Sequence, residues 1–322
     1  VLVLDPLWAF WTPAISGPPL LDSLALGFLA PALLLAFAAS RRVTIERRLV
    51  MAYAAGAAVF GVVWAVLETR RLFQGASLHI GIDPVGRAEV AAYALLGLLL
   101  TRGLFAAAGR NAGSLATISG PVRGVSRVVG WIALAFAVLA YGLLASPWWG
   151  PNGRPLQSQA AAMLLFGLYA AGAATAAWLI GAAAARGETL LSRASRLTAL
   201  IIVFALLNLL TRWAFLGLDM RPNLLEASLQ TWTFSAVWGL YGFGLLVFAV
   251  ARREADLRWA GLAVLLGATA KVFLFDMAHL EGVVRAGSFL AVGALLLAAA
   301  VIARRLSGGA LGFGRSKATD LG

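Results

Sequence analysis

The amino-acid sequence predicts an all-α, polytopic transmembrane helix bundle of about nine spans. Three observations predict it. Of the 322 residues, 61% are hydrophobic and only 12% are charged. Long apolar stretches recur along the whole chain. The basic residues fall in pairs between those stretches, more densely at every second connection.

Composition comes first. A soluble domain carries about twice this share of charge, so the polar residues here are too few to coat a water-facing surface. The net charge of +12 does not read as a nucleic-acid footprint, because the basic residues form no single arm or face. There is no cysteine, which removes disulfides and thiolate metal sites from consideration. The chain starts at Val1 without Met, and the short apolar run to Leu4 reads as the tail of an earlier span. The expectation is a longer protein with further N-terminal spans.

The expected spans are 20–39, 49–67, 90–108, 128–144, 160–184, 197–210, 231–251, 259–275 and 286–303. Most are long enough to cross about 30 Å of hydrocarbon at 1.5 Å per residue. The sixth is short and is expected to continue through Thr211 and Arg212; the third contains Arg102. Ten-residue alternating strands, the signature of a barrel, are not seen.

Orientation follows from the connections. One set holds Arg41, Arg42, Arg47, Arg48, Arg110, Arg123, Arg127, Arg186, Arg193, Arg196, Arg252, Arg253, Arg258, Arg304, Arg305, Arg315 and Lys317. The alternate set holds Arg70, Arg71, Arg87, Arg154, Arg212, Arg221, Lys271 and Arg285. The richer set is read as cytoplasmic, which places the N-terminus outside and the C-terminus inside a bacterial inner membrane. Trp8, Trp11, Trp148, Trp149, Trp213 and Trp232 all fall near the expected outer interface.

An internal repeat is expected. Thr69-Arg70-Arg71-Leu72-Phe73-Gln74-Gly75 ends the second span, and Thr211-Arg212-Trp213-Ala214-Phe215-Leu216-Gly217 ends the sixth. Asp5-Pro6-Leu7-Trp8 with Pro19-Leu20 matches Ser146-Pro147-Trp148-Trp149 with Pro155-Leu156. The expected organisation is therefore a four-span unit at 1–146, a parallel four-span unit at 147–285, an extra span at 286–306 and a disordered cytoplasmic tail at 307–322. The hexapeptide Tyr-Ala-Ala-Gly-Ala-Ala also occurs twice, from Tyr53 and from Tyr169, in spans that do not correspond.

The stretch Lys271-Val272-Phe273-Leu274-Phe275-Asp276, the Leu/Gly turn after it, and Arg285 with Ser288-Phe289 resemble the C-terminal signature of the domain of unknown function 2339 family of predicted bacterial membrane proteins. Thr231-Trp232-Thr233-Phe234-Ser235 is similar to the same family. The resemblance implies a membrane location and no established activity.

The candidate substrate-binding residues are Lys271, Asp276, Arg70, Arg212, Glu68, Arg285 and Asn208. Lys271 lies five positions inside its expected span, about 7 Å deep, where it must snorkel, pair or face a cavity. Arg70 and Arg212 occupy equivalent repeat positions before a capping Gly. They read either as dipole-compatible interface cations or as a clamp on an anionic headgroup. Asn208 lies one turn before Arg212. Asp276, His279 and Glu281 are weak metal candidates, and the simpler reading is a solvated hairpin. No cofactor is expected: the chain has no G-x-x-x-x-G-K-[ST], G-x-G-x-x-G or H-E-x-x-H.

Three functional readings follow. The first is a transporter or flippase-like subunit handling an anionic amphiphile or envelope lipid at the outer face, with membrane lipids as its partners and no nucleic acid. The second is an outer-face enzyme with a lipid-linked substrate and a base among Glu68, Asp83 and Asp276. The third is a structural scaffold. The orientation is testable with an impermeant thiol reagent: Ser77→Cys labels from outside, and Ser192→Cys does not.

Overall fold

The computed structural model describes residues 15–40, 47–75, 86–110, 119–146, 156, 158–218, 228–273 and, in the last segment, 287, 290, 293, 294, 297, 298 and 301. The described residues are helices joined by turns, with no strand among them. We label them α1 (a π-helical turn Ala25–Leu29 continuing as Ala30–Ser40), α2 (Arg47–Gln74), α3 (Arg87–Arg110) and α4 (Ser119–Leu139, continuing as a π-helical turn Ala140–Leu144). Then follow α5 (Gln159–Ala184), α6 (Thr189–Leu216), α7 (Ser228–Arg252) and α8 (Ala255–Lys271). Each corresponds to one expected span. The described positions from 287 to 301 are helical and lie within the expected ninth.

Six helices, α2 to α7, are long and apolar enough to cross a membrane, and α1 is a shorter apolar helix. With 17 residues and the charges of Asp256, Arg258 and Lys271, α8 does not reach that length. Leu33, Leu34, Phe37, Val59, Trp178 and Leu240 are all exposed. Apolar surface this extensive belongs against lipid rather than water. The protein is a multi-pass helical membrane protein.

Two boundaries differ from expectation for stated reasons. The first helix starts after Asp22 rather than at Leu20, because the Asp22 carboxylate accepts the Ala25 amide at 2.7 Å and caps the helix. Leu20 itself is left-handed at φ 72°. The second helix continues seven residues past the expected Leu67, because Glu68, Arg70, Arg71 and Gln74 all find polar partners. The sixth runs from Thr189 to Leu216 and includes Thr211 and Arg212, as the shortness of its apolar run led one to expect.

Packing divides the chain into residues 1–206 and 207–322. In the first unit the packing turns on two tyrosines. Tyr141 of α4 is fully buried, and its hydroxyl lies 3.0 Å from the Ala91 carbonyl of α3 and 3.2 Å from the Leu168 carbonyl of α5. Tyr169 of α5 donates to the Tyr141 carbonyl at 2.9 Å, and the rings meet edge to face with centroids 4.8 Å apart. Residue 91 is thus level with 168. Eleven and ten residues further on, Arg102 stacks on Trp178, so α3 and α5 run parallel. The close approach needs Gly172, where an added Cβ would lie 2.5 Å from the Tyr141 hydroxyl oxygen. In the second unit α7 and α8 cross at Gly242 and Gly261, each approaching the other's backbone carbonyl.

At the end opposite the pre-helix segment, Arg127 forms a bidentate pair with Glu188, tying α4 to the turn after α5. Ser192 is buried and donates to the Ile180 carbonyl at 3.0 Å, which shields a cysteine there from any reagent. Ala185, exposed in the adjoining turn, is the better reporter for that side.

The tyrosine contact makes a direct prediction. Gly172→Ala should destabilise the protein by about 1–3 kcal/mol through overpacking. Gly167→Ala, where nothing lies within 4 Å of the new Cβ, should be neutral or slightly stabilising. Thermal unfolding of the two variants in one detergent checks this; equal effects would contradict the packing.

Candidate functional site

Charged side chains collect where α2 ends and α3 begins. Glu68, Arg71 and Asp22 are buried, and Glu89 is fully so. Lipid cannot solvate such groups, so each must be met by protein. Arg71 forms an ion pair with Asp22 and donates to the Gly17 carbonyl at 2.5 Å. Glu68 accepts the Leu20 amide at 2.8 Å. Residues 17–22 are therefore folded onto the end of α2 as a clasp. Its turn is closed by Leu21 N–H donating to the Pro18 carbonyl at 3.2 Å. Gly17, at φ 105°, occupies a conformation that favours glycine.

A second group adjoins it. Glu89, in the first turn of α3, accepts Gln74 and Tyr93 at 2.8 Å each, and Arg70 lies at 3.4 Å. The position suits a carboxylate at a helix N-terminus. Two of the expected site residues, Arg70 and Glu68, are thus brought together here, but each is engaged by a partner within the first unit. Asp22, Arg71, Gln74, Glu89 and Tyr93 complete the network and were not singled out from sequence. The available signal was the density of charge at both ends of one connection.

The remaining described candidates lie in the second unit. Asn208 is buried and its side-chain oxygen accepts the Trp238 indole N–H at 2.7 Å, joining α6 to α7. Arg212, one turn further along α6, is also buried. Lys271, in the last turn of α8, reaches across to α7. Its ammonium donates to the Thr231 carbonyl and to the Ser235 hydroxyl, both at 2.8 Å. A cation in the last turn also suits the helix dipole. Ser235 lies about 4.5 Å along α7 from Trp238, and Arg212 about 6 Å along α6 from Asn208, in the same direction. The Lys271 ammonium therefore sits on the first turns of α7.

Asp276, His279, Glu281 and Arg285 lie outside the described residues, as does Asp83. Among the described residues there is no group of three His, Asp or Glu side chains suited to a metal.

The model of a family described as "Predicted membrane protein (DUF2339)" matches residues 87–306. The chain belongs to this family. The match covers α3 to α8, including Glu89, Asn208, Arg212 and Lys271, while the clasp of Asp22, Glu68 and Arg71 precedes it. No curated protein and no solved structure matches the chain.

The clasp can be tested by a double-mutant cycle. Arg71→Met strands the Asp22 carboxylate and should cost about 3–5 kcal/mol. Asp22→Asn keeps the helix cap, so Asp22→Asn combined with Arg71→Met should recover much of that loss. Unfolding midpoints that simply add, with no recovery, would contradict a buried ion pair.

Proposed function

We propose that this protein is a transporter or flippase-like membrane subunit. It holds the anionic headgroup of an envelope lipid or similar amphiphile at the end of the second unit. The observation that carries this reading is the Lys271 ammonium held on Thr231 and Ser235 of α7, in a unit that also buries the cation Arg212. Two cations in one unit, with the hydroxyl of Ser235 on one of them, supply donors suited to phosphate or carboxylate oxygens. A guanidinium supplies a fork and an ammonium supplies a point charge, so together they meet more than one oxygen of such a group.

The distribution of basic residues supports an outer location for this end, with the N-terminus outside, the C-terminus cytoplasmic and the inner membrane as the site of residence. The parallel repeat, with 1–146 corresponding to 147–285, supports transport between two similar halves. Within that scheme Arg70, with its partner Glu89, belongs to the structural half, and Arg212 to the binding half. Asp276 and Arg285, which follow α8 in sequence, are proposed as further headgroup contacts.

A scaffold reading draws support from the first unit, where Asp22, Arg70, Arg71 and Glu89 neutralise one another. The two readings separate at Lys271. Lys271→Met retains the chain length and loses the charge. It should leave the fold intact and lower the occupancy of co-purifying anionic lipid, read by native mass spectrometry, about 10–100-fold, the value of one charged hydrogen bond. Undiminished lipid in a folded Lys271→Met protein would favour the scaffold.

A further inference from the structure

Arg102 has no part in either charged group described above. It lies in α3, four residues before the end of the apolar stretch at Ala106 and far from the clasp. Its guanidinium stacks on the indole of Trp178 at 4.1 Å from the ring centre. Among the described residues it forms no hydrogen bond and no ion pair, and its Nε is buried without a partner. A guanidinium carries five N–H donors and cannot shed its charge. Within a membrane helix that demand has to be met by something beyond the described residues.

The surroundings say what. Trp178 is 59% exposed, and Leu99, one turn toward the membrane centre from Arg102, is 44% exposed. Gly103 is exposed as well. The stack therefore lies on a lipid-facing surface between the parallel helices α3 and α5. Near the ends of both helices, the guanidinium is within snorkelling reach of the headgroup level. Stacking fixes the plane of the guanidinium while the side chain stays half-buried, and a fixed planar fork suits bidentate contact with a phosphate. Arg186, just beyond the end of α5, donates to the Phe105 carbonyl of α3 and packs over the Phe105 ring, adding positive charge on the same side.

We infer that Arg102 and Trp178 form a binding site for the phosphodiester of one anionic phospholipid. The acyl chains of that lipid run along Leu99 and the exposed face of the indole. The site is independent of the Arg212–Lys271 surface, because it uses other helices.

Trp178 is its own reporter. The full-length protein is reconstituted into vesicles of phosphatidylcholine containing a fixed share of either phosphatidylglycerol or phosphatidylcholine brominated near the headgroup. The Trp178 signal is the difference between wild type and Trp178→Phe. The inference expects brominated phosphatidylglycerol to quench Trp178 as a lipid enriched roughly fivefold over phosphatidylcholine, the scale for one basic residue at an anionic surface. Arg102→Gln should abolish the enrichment, and Arg102→Lys should reduce it, because the fork and much of the stacking are lost. Inorganic phosphate in the buffer should not displace the lipid. Equal quenching by the two lipids in the wild type would overturn the inference, with no variant needed. An undiminished preference in folded Arg102→Gln would overturn it too, as would displacement by inorganic phosphate.

Discussion

Lipid gives a guanidinium nothing to bond to, and the arrangement of the first unit follows from where Arg71 finds its counter-charge. From Arg48 to Val66 no side chain of α2 is buried; burial begins only at Leu67, Glu68 and Arg71. The helix is held by its charged end. Asp22 serves two purposes there, as the partner of Arg71 and as the cap that starts α1. Glu68 meets the Leu20 amide that the clasp would otherwise leave unbonded. Beneath this polar layer, Ile15, Leu24, Phe28 and Leu67 pack together with Phe60, Val63 and Trp64 against them. One ion pair thereby fixes where α1 begins, how α2 ends and the path of the segment between Gly17 and Asp22.

The second unit resolves the same constraint differently. There the Lys271 ammonium of α8 reaches a backbone carbonyl and a hydroxyl of α7. Ser235 also donates to the Thr231 carbonyl at 3.3 Å, so the two acceptors of Lys271 are linked in one small network. The proposed headgroup site is assigned to Arg212 and Lys271 because both cations belong to the second unit and the Lys271 ammonium reaches the first turns of α7. Family membership accords with this emphasis: the matched region contains the second unit's cations and excludes the clasp.

Much of the fold was legible because the bilayer leaves few alternatives. Apolar run length alone located eight helices, since a spanning backbone has to bond within its own segment. The ends were less legible. Glu68, Arg70 and Arg71 read as a connection by hydropathy, yet they continue α2 because each finds a tertiary partner, and sequence does not display those partners. The tyrosine contact was legible in another way. The hexapeptide from Tyr169 contains Gly172, which admits Tyr141, and the one from Tyr53 contains Gly56, whose added Cβ would lie 3.1 Å from Leu35. Both copies mark close helix approaches, so their meaning lies in packing rather than in repeat register. Of the site residues, Lys271 stood out as an intramembrane charge, whereas Asp22 and Glu89 became visible only through the groups they meet.

The central claim is that an anionic headgroup occupies the surface shared by Arg212, Lys271 and the first turns of α7. An electron cryomicroscopy structure of the full-length protein in nanodiscs of its native lipid tests that claim most directly. The account predicts an ordered headgroup within hydrogen-bonding distance of both the Lys271 ammonium and the Arg212 guanidinium. A surface filled by protein side chains, or covered by acyl chains alone with the Lys271 ammonium still on Thr231 and Ser235, would contradict it.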